Sequence, residues 1–218
     1  MAFRDDLWAV AEPIYQKTLV HPFVTGLLDA TLPDDRFRYY VVQDYRYLQG
    51  FSRTLAQIAS NAPSDVELQF FASSAANVVD VEHQLHKAFL AGFGMTTADL
   101  NLVSPSPTTS GYLDFMRANA SDYADGVAAV LACYWIYREV GVTLLRQGSP
   151  DARFQRWIHT YGEEAFVETV ERLLTIVDHL GEVIGSLGRA RFQQLWLRGC
   201  QYEWLFFDAA WRTETWSI

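Results

Sequence analysis

Apolar residues recur at the helical period along almost the whole chain. In segment 34–60 they lie three and four residues apart, a spacing that places them on one face of a helix. This stripe consists of Phe37, Tyr40, Val41, Asp44, Tyr47, Leu48, Phe51 and Leu55. The pattern predicts a helix over 34–60, with the carboxylate of Asp44 interrupting its apolar face.

Capping boxes predict where two further helices begin. Ser64 with Glu67, and Thr160 with Glu163, each pair a hydroxyl with an acid three residues later, so that both can bond to free backbone N–H groups. With these two, the helices predicted after 34–60 have the approximate ranges 65–92, 110–120, 122–147, 161–180 and 184–213.

Other local signals predict breaks between these helices. Gly148 predicts a C-terminal stop, followed by Ser149 as N-cap and Pro150 as the first residue of the next helix. Segment 104–111 is rich in Ser, Pro and Thr and predicts a loop, and 21–23 predicts a turn before a helix.

The pattern as a whole favours an all-α fold. No alternating run of Val, Ile and Thr bounded by turn residues predicts a strand, and no repeat or long linker divides the chain. We therefore predict a single all-helical domain over 1–218, a bundle of seven or eight helices. Several predicted helices exceed about 20 residues, which favours a bundle with a central pocket.

Composition excludes several classes of partner. A formal net charge of −9 argues against nucleic acid, and no polybasic cluster favours an anionic membrane. The N-terminus lacks the features of a signal peptide, and the longest apolar run, 126–137, is too short to span a bilayer. The two cysteines, Cys133 and Cys200, lie in apolar helical contexts. We expect a cytoplasmic protein with reduced thiols.

Polar residues in apolar helices are the candidates for chemistry. The stretch GVAAVLACYWIYREVG places Tyr137 one turn after Cys133, on the same helix face. A free cysteine is commonly a small core residue, but a thiol assisted by a nearby acid or base is also a nucleophile. Asp44 and Glu203 are acids on apolar faces, where a carboxylate must be paired or hydrogen-bonded. Two such acids can donate a proton at one place and accept one at another.

A metal site is a weaker interpretation. Glu82, His83 and His86 lie close together, and Glu82 and His86 are one turn apart. A di-iron bundle needs Glu-x-x-His on two helices, and the spacing here is Glu-x-x-x-His with no second copy. A Glu–His hydrogen bond explains this pair better, and we expect no metal site.

Four blocks of the sequence together resemble one known family. They are VHPFVTGLLDATLPDDRFRYYVVQDYRYL, ACYWIYREVG, WIHTYGEEAF and YEWLFFDAAW. In order and separation they are similar to blocks of the thiaminase II (TenA) family, in its cysteine-containing branch, and the resemblance covers nearly the whole chain. It implies a haem-oxygenase-like fold, a homotetramer and no cofactor.

The resemblance also implies an activity, the hydrolysis of 4-amino-5-aminomethyl-2-methylpyrimidine to the hydroxymethyl compound and ammonia. This reaction salvages the pyrimidine of thiamin, and thiamin itself would be cleaved more slowly. Cys133 would be the nucleophile, Asp44 would hydrogen-bond the ring nitrogen and exocyclic amine, and Glu203 would be the acid/base near the leaving group. The residues implied to line the pyrimidine are Tyr47, Tyr112, Tyr137, Tyr161 and Phe206.

Two alternatives of other classes stay open at this point. One is an oxidase, or a haem or di-iron protein, on the same fold. The other is a non-enzymatic regulator or pyrimidine-binding protein, although a regulator has no use for a nucleophile. The expected partner in the favoured reading is a small aminopyrimidine or thiamin, with neither nucleic acid nor membrane.

Overall fold

The chain folds into α-helices throughout. The computed structural model describes residues 2–217, and the side chains of all of these except residues 80–91, 97 and 101. The helices of the described residues are α1 Phe3–Leu19, α2 Pro22–Leu28, α3 Asp34–Ser60, α4 Asp65–Gly92, α5 Thr97–Asn101, α6 Pro107–Asn119, α7 Tyr123–Leu145, α8 Ala152–Gly162, α9 Glu164–Val183 and α10 Gly185–Arg212. The all-α prediction is confirmed, and the short helices α2 and α5 bring the number above the seven or eight predicted.

The serine cap of one predicted capping box is confirmed, and the other box is wrong. The backbone N–H of Glu67 donates to Ser64 Oγ at 3.3 Å, and Ser64 Oγ donates to the Glu67 carboxylate at 2.6 Å. At Thr160 no helix begins, because the hydroxyl donates to the carbonyl of Arg156 at 2.9 Å inside α8. A hydroxyl that bonds back to its own helix is not available to cap the next one.

The predicted loop 104–111 is wrong in its second half. Helix α6 begins at Pro107, and the Ser106 side chain accepts from the backbone N–H of Thr109 at 3.2 Å. A serine N-cap followed by proline at the first helical position is a strong start signal. That signal outweighs the loop-like composition of the segment.

For the break between α7 and α8, the predicted stop at Gly148 is confirmed and the predicted N-cap Ser149 is wrong. Gly148 has a φ of +72°, which is the left-handed conformation that ends many helices. The N-cap of α8 is Asp151, whose carboxylate accepts from the backbone N–H of Arg153 at 2.8 Å, and not Ser149. Downstream of α1, the predicted turn at 21–23 is confirmed, with His21 as the N-cap of α2.

The chain forms two compact units. The first comprises Met1–Pro33 and Val127–Asp208, and the second comprises Asp34–Gly126 and Ala209–Ile218. Within the first unit α1 packs against α9 and α2, and α8 packs against α2 and α9. Within the second unit α3 packs against α4, α5 and α6. The single-domain interpretation stays a prediction.

Helix α7 corrects one expectation about membranes. By length and composition it is the one helix among the described residues that could cross a bilayer, since it extends well beyond the apolar run 126–137. However, 72% of its most apolar stretch is buried inside the protein. Such burial is typical of a core helix, and its apolar composition reflects packing.

Candidate active site

In the second unit, α3 carries two predicted site residues on one face. Tyr47 follows Asp44 by three positions, and both are buried, with 4% and 6% of their surfaces exposed. The ring of Tyr47 lies 5.1 Å from the ring of Tyr112 on α6, and its hydroxyl lies 3.6 Å from the sulfur of Met116. The helix spacing therefore places a buried carboxylate on the same face of α3 as Tyr47, whose ring pairs with Tyr112.

In the first unit, α7 carries Cys133 and Tyr137 one turn apart. Cys133 is half-buried, and Tyr137 is buried with 5% of its surface exposed. The ring centroid of Tyr137 lies 4.7 Å from that of Tyr161, which belongs to α8. The structure thus brings two predicted substrate-lining tyrosines into contact, next to the predicted nucleophile along the helix.

Two more aromatic residues lie against Tyr137. Trp157 on α8 and Phe207 on α10 have ring centroids 5.9 Å and 5.6 Å from Tyr137. We call Tyr137, Trp157, Tyr161 and Phe207 the Tyr137 cluster. Sequence reasoning missed Trp157 and Phe207, although Trp157 precedes Tyr161 by four residues and so shares its helix face.

Helix α10 carries the second predicted carboxylate. Glu203 is buried, with 2% of its surface exposed, and Phe206 follows three residues later with 4% exposed. Cys200 precedes Glu203 by three residues and is completely buried. Burial, and then the negative charge of Glu203, raise the pKa of the Cys200 thiol well above its ordinary value. Cys200 is therefore held as a thiol, which is a poor nucleophile.

His21 has a structural role beside α10. Its Nδ1 accepts from the backbone N–H of Phe23 at 3.1 Å, and its Nε2 lies 3.6 Å from Asp208 Oδ1. Burial lowers the pKa of His21, and the nearby Asp208 carboxylate opposes this shift without reversing it. A neutral imidazole that caps α2 agrees with the predicted turn.

The predicted site residues divide between the two units. Asp44, Tyr47 and Tyr112 belong to the second unit, and the others belong to the first. Those in the first unit are Cys133, Tyr137, Tyr161, Glu203 and Phe206. The contacts given above join Tyr47 to Tyr112 and Tyr137 to Tyr161, and the catalytic roles of the predicted residues stay predictions.

The side chains of the possible metal ligands Glu82, His83 and His86 lie outside the described residues. Among the side chains that are described, no three of the His, Cys, Asp and Glu type lie close enough together to hold a metal ion.

The sequence matches a family model along almost all of its length. Residues 8–213 match the model described as the TENA/THI-4/PQQC family. The chain belongs to this family. The resemblance found in the four sequence blocks is thereby confirmed.

Two curated relatives show what this family member is similar to. It is 34% identical to the aminopyrimidine aminohydrolase of Bacillus subtilis, over 100% of this chain and 93% of that protein. It is 35% identical to the thiamine biosynthesis multifunctional protein ThiED of Corynebacterium efficiens, over 94% of this chain. The chain spans 28% of the length of that multifunctional relative.

Solved structures agree on the fold of this family member. A TenA homologue from P. horikoshii superposes with a TM-score of 0.89 at 31% identity, covering 97% of this chain and 99% of the other. A Shewanella denitrificans domain with a heme oxygenase-like fold matches with a TM-score of 0.73 at 14% identity, over 96% of this chain and 92% of that one. The latter shows the fold alone, and the predicted haem-oxygenase-like class is confirmed.

Proposed function

We propose that this chain is an aminopyrimidine aminohydrolase. It hydrolyses 4-amino-5-aminomethyl-2-methylpyrimidine to the hydroxymethyl compound and ammonia, and it cleaves thiamin more slowly. The observation that carries this proposal is the 34% identity to an aminopyrimidine aminohydrolase over the whole of this chain. The half-buried Cys133 beside the Tyr137 cluster supports it.

The reaction begins with the thiolate of Cys133, which adds to the pyrimidine ring and breaks its aromaticity. The electrons displaced by this addition expel the amine from the adjacent methylene group, and the amine leaves as ammonia once it is protonated. Water then adds to the methylene carbon, the thiolate departs from the ring, and aromaticity returns. The balance is one water consumed and one ammonia released per turnover.

One carboxyl group transfers the proton that these steps need, and a second one holds the ring. Glu203 in its acid form protonates the leaving amine, and the carboxylate that results takes a proton from the attacking water, which restores the acid. Asp44 accepts hydrogen bonds from the aminopyrimidine and orients the ring. Both carboxyl groups are at least nine-tenths buried, and polar groups that are shielded from water interact more strongly.

Aromatic side chains account for binding of a flat, neutral ring. Tyr47 pairs with Tyr112 in the second unit, and Tyr137 pairs with Tyr161 in the first. Pockets for small planar ligands are lined mainly by such apolar surfaces, with a few polar groups that fix orientation. This reaction calls for no metal or organic cofactor.

An ammonia-release assay tests the proposed function. Purified protein is incubated with the aminomethyl pyrimidine and, in parallel, with thiamin, and ammonia and the hydroxymethyl product are measured. We expect kcat/KM for the aminomethyl pyrimidine to exceed that for thiamin by about tenfold or more. If no ammonia is released above a protein-free control, the proposal is wrong.

A homotetramer in the cytoplasm is the proposed state of the protein. Large apolar side chains face solvent in this single chain, among them Leu187, Leu102 and Val20, which are 87%, 85% and 74% exposed. Such residues are commonly covered in an assembly when they form contiguous patches. Light scattering at micromolar concentration tests the assembly, and a monomer would contradict it. Fractionation of the cells that make the protein tests its location.

A further inference from the structure

Two glycines bring the backbones of α7 and α8 into direct contact. A Cβ atom added at Gly141 would lie 2.6 Å from the carbonyl oxygen of Tyr161 and 2.7 Å from the backbone nitrogen of Gly162. A Cβ added at Gly162 would in turn lie 2.8 Å from the carbonyl oxygen of Gly141. Real Cβ atoms do not approach backbone so closely, so any side chain at either position forces the two helices apart.

Space is the reason for both glycines. Neither has the positive φ that would require glycine; among the described glycines such values occur at Gly94, Gly148 and Gly185. Gly141 lies inside α7, where alanine is intrinsically more favourable for a helix than glycine. Glycine at position 141 therefore lowers the helix propensity of α7, and in return it allows α7 to pack closely against the end of α8.

This contact is adjacent to the Tyr137 cluster on both helices. Gly141 follows Tyr137 by one turn of α7, and Tyr161 directly precedes Gly162 at the end of α8. The two rings lie 4.7 Å apart at their centroids, and Trp157 lies 4.9 Å from Tyr161. The backbone contact therefore sets the distance between the rings of α7 and those of α8.

We propose that Gly141 and Gly162 are positioning residues for aminopyrimidine binding, which they serve by holding the rings of α8 against Tyr137. The proposal rests on the proposed function, because it takes Tyr137 and Tyr161 as residues that line the pyrimidine. On α7, Cys133 precedes Gly141 by eight residues, and Glu203 lies on α10, which takes no part in this backbone contact. Separation of α8 from α7 should therefore weaken substrate binding more than it slows the chemical steps.

The test compares three alanine variants with the wild-type protein. Gly141→Ala and Gly162→Ala each disrupt the contact from one side. Gly181→Ala is the matched control: it also lies in a helix of the first unit, and its added Cβ would lie 2.5 Å from Phe3 Cβ, which belongs to α1. Each protein is measured for kcat and KM with the aminomethyl pyrimidine, for near-ultraviolet circular dichroism and for its thermal midpoint.

We expect both variants of the contact to change the aromatic dichroism and to raise KM by about tenfold or more, with kcat changed by less than about threefold. Gly181→Ala should lower the thermal midpoint and leave KM unchanged. An unchanged KM in an active Gly141→Ala or Gly162→Ala protein overturns the proposal, and so does an equal rise of KM in Gly181→Ala.

Two further outcomes are also decisive. If Gly141→Ala does not fold, the test is made with Gly162→Ala. Its clash is milder, because two of the three nearest contacts of the added Cβ are at 3.0 Å. If the wild-type protein releases no ammonia, the proposed function fails and this inference fails with it. A wild-type protein that is active, with normal KM in both variants, overturns the positioning role alone.

Discussion

Cys133 and Cys200 lie next to the point where α7 and α10 meet, yet one thiol is half-buried and the other is fully buried. The preceding residues, Ala132 and Gly199, form the contact: a Cβ added at Gly199 would lie 3.0 Å from Ala132 Cβ. Two cysteines on either side of the same helix–helix contact therefore differ in their exposure to solvent.

This difference separates a candidate nucleophile from a packing residue. Burial and the charge of Glu203 raise the pKa of Cys200, so its thiolate is strongly disfavoured. A catalytic cysteine needs an accessible sulfur and a favoured thiolate, and a buried structural cysteine is inert. The apolar sequences around the two residues do not show this, because both read as core helix.

The largest expected effect that tests this comparison comes from Cys133→Ser. A serine hydroxyl is far less nucleophilic than a thiolate, so we expect kcat for ammonia release to fall by about a thousandfold or more. The fold should be intact, as measured by circular dichroism and thermal midpoint. Retention of near-normal turnover would remove Cys133 from the nucleophile role.

The second-largest loss of turnover is expected from Glu203→Gln. This variant tests whether Glu203 acts on the substrate or only raises the pKa of Cys200. Loss of a general acid should lower kcat for ammonia release by about a hundredfold, with little change in KM. Cleavage of thiamin should suffer less, because its thiazolium leaves as a neutral thiazole and needs less proton donation. The measurement is kcat and KM for both substrates; equal losses would leave Glu203 as a residue that only positions the substrate.

A smaller effect is expected from Cys200→Ser. Serine places a hydroxyl in a fully buried site, so the free energy of unfolding should fall by about 1–2 kcal/mol, as measured by urea denaturation. Turnover should stay within about twofold of the wild type, because the sulfur takes no part in the reaction. A large loss of kcat with unchanged stability would reverse the comparison between the two cysteines.

The smallest effect is a difference in pH dependence between the wild type and Cys200→Ser. The pKa of Cys200 is raised in the folded state, so above pH of about 8.5 the unfolded chain loses this proton while the folded chain keeps it. The free energy of unfolding should then decrease with rising pH, by at most about 1.4 kcal/mol per pH unit from this group.

Urea denaturation between pH 7 and pH 10 should therefore show a steeper decrease in the wild type than in Cys200→Ser. Burial also raises the pKa values of Tyr15, Tyr39 and Tyr123, and these tyrosines act alike in both proteins. The comparison of slopes removes their contribution. Identical slopes would mean that Cys200 is less well shielded than the structure describes.

The sequence predicted most of the helices because their signals are local. The stripe of α3 and the serine cap at Ser64 depend on residues three and four positions apart, and both are confirmed. The boundary predicted at Thr160 was wrong for an equally local reason. Its hydroxyl could either cap the next helix or bond to a carbonyl of its own helix, and the sequence pattern does not distinguish the two.

The site was only partly predictable. Tyr137 was found from its position one turn after Cys133, Tyr161 came from the family resemblance, and the structure places the two rings in contact. Trp157 and Phe207 were missed, because an aromatic residue in an apolar helix gives the same signal whether it fills the core or surrounds a site.

The sequence by itself determined that the chain is all-helical, where several of its long helices begin and end, and which family it belongs to. These properties follow from hydrophobic periodicity, capping residues and blocks of similar sequence, which are all readable along the chain. Only the tertiary structure decided which cysteine is buried and why Gly141 and Gly162 are glycines. The physical reason is that burial and close approach depend on which helix covers a given face, and residues 21 positions apart, such as Gly141 and Gly162, meet only when α8 packs on α7.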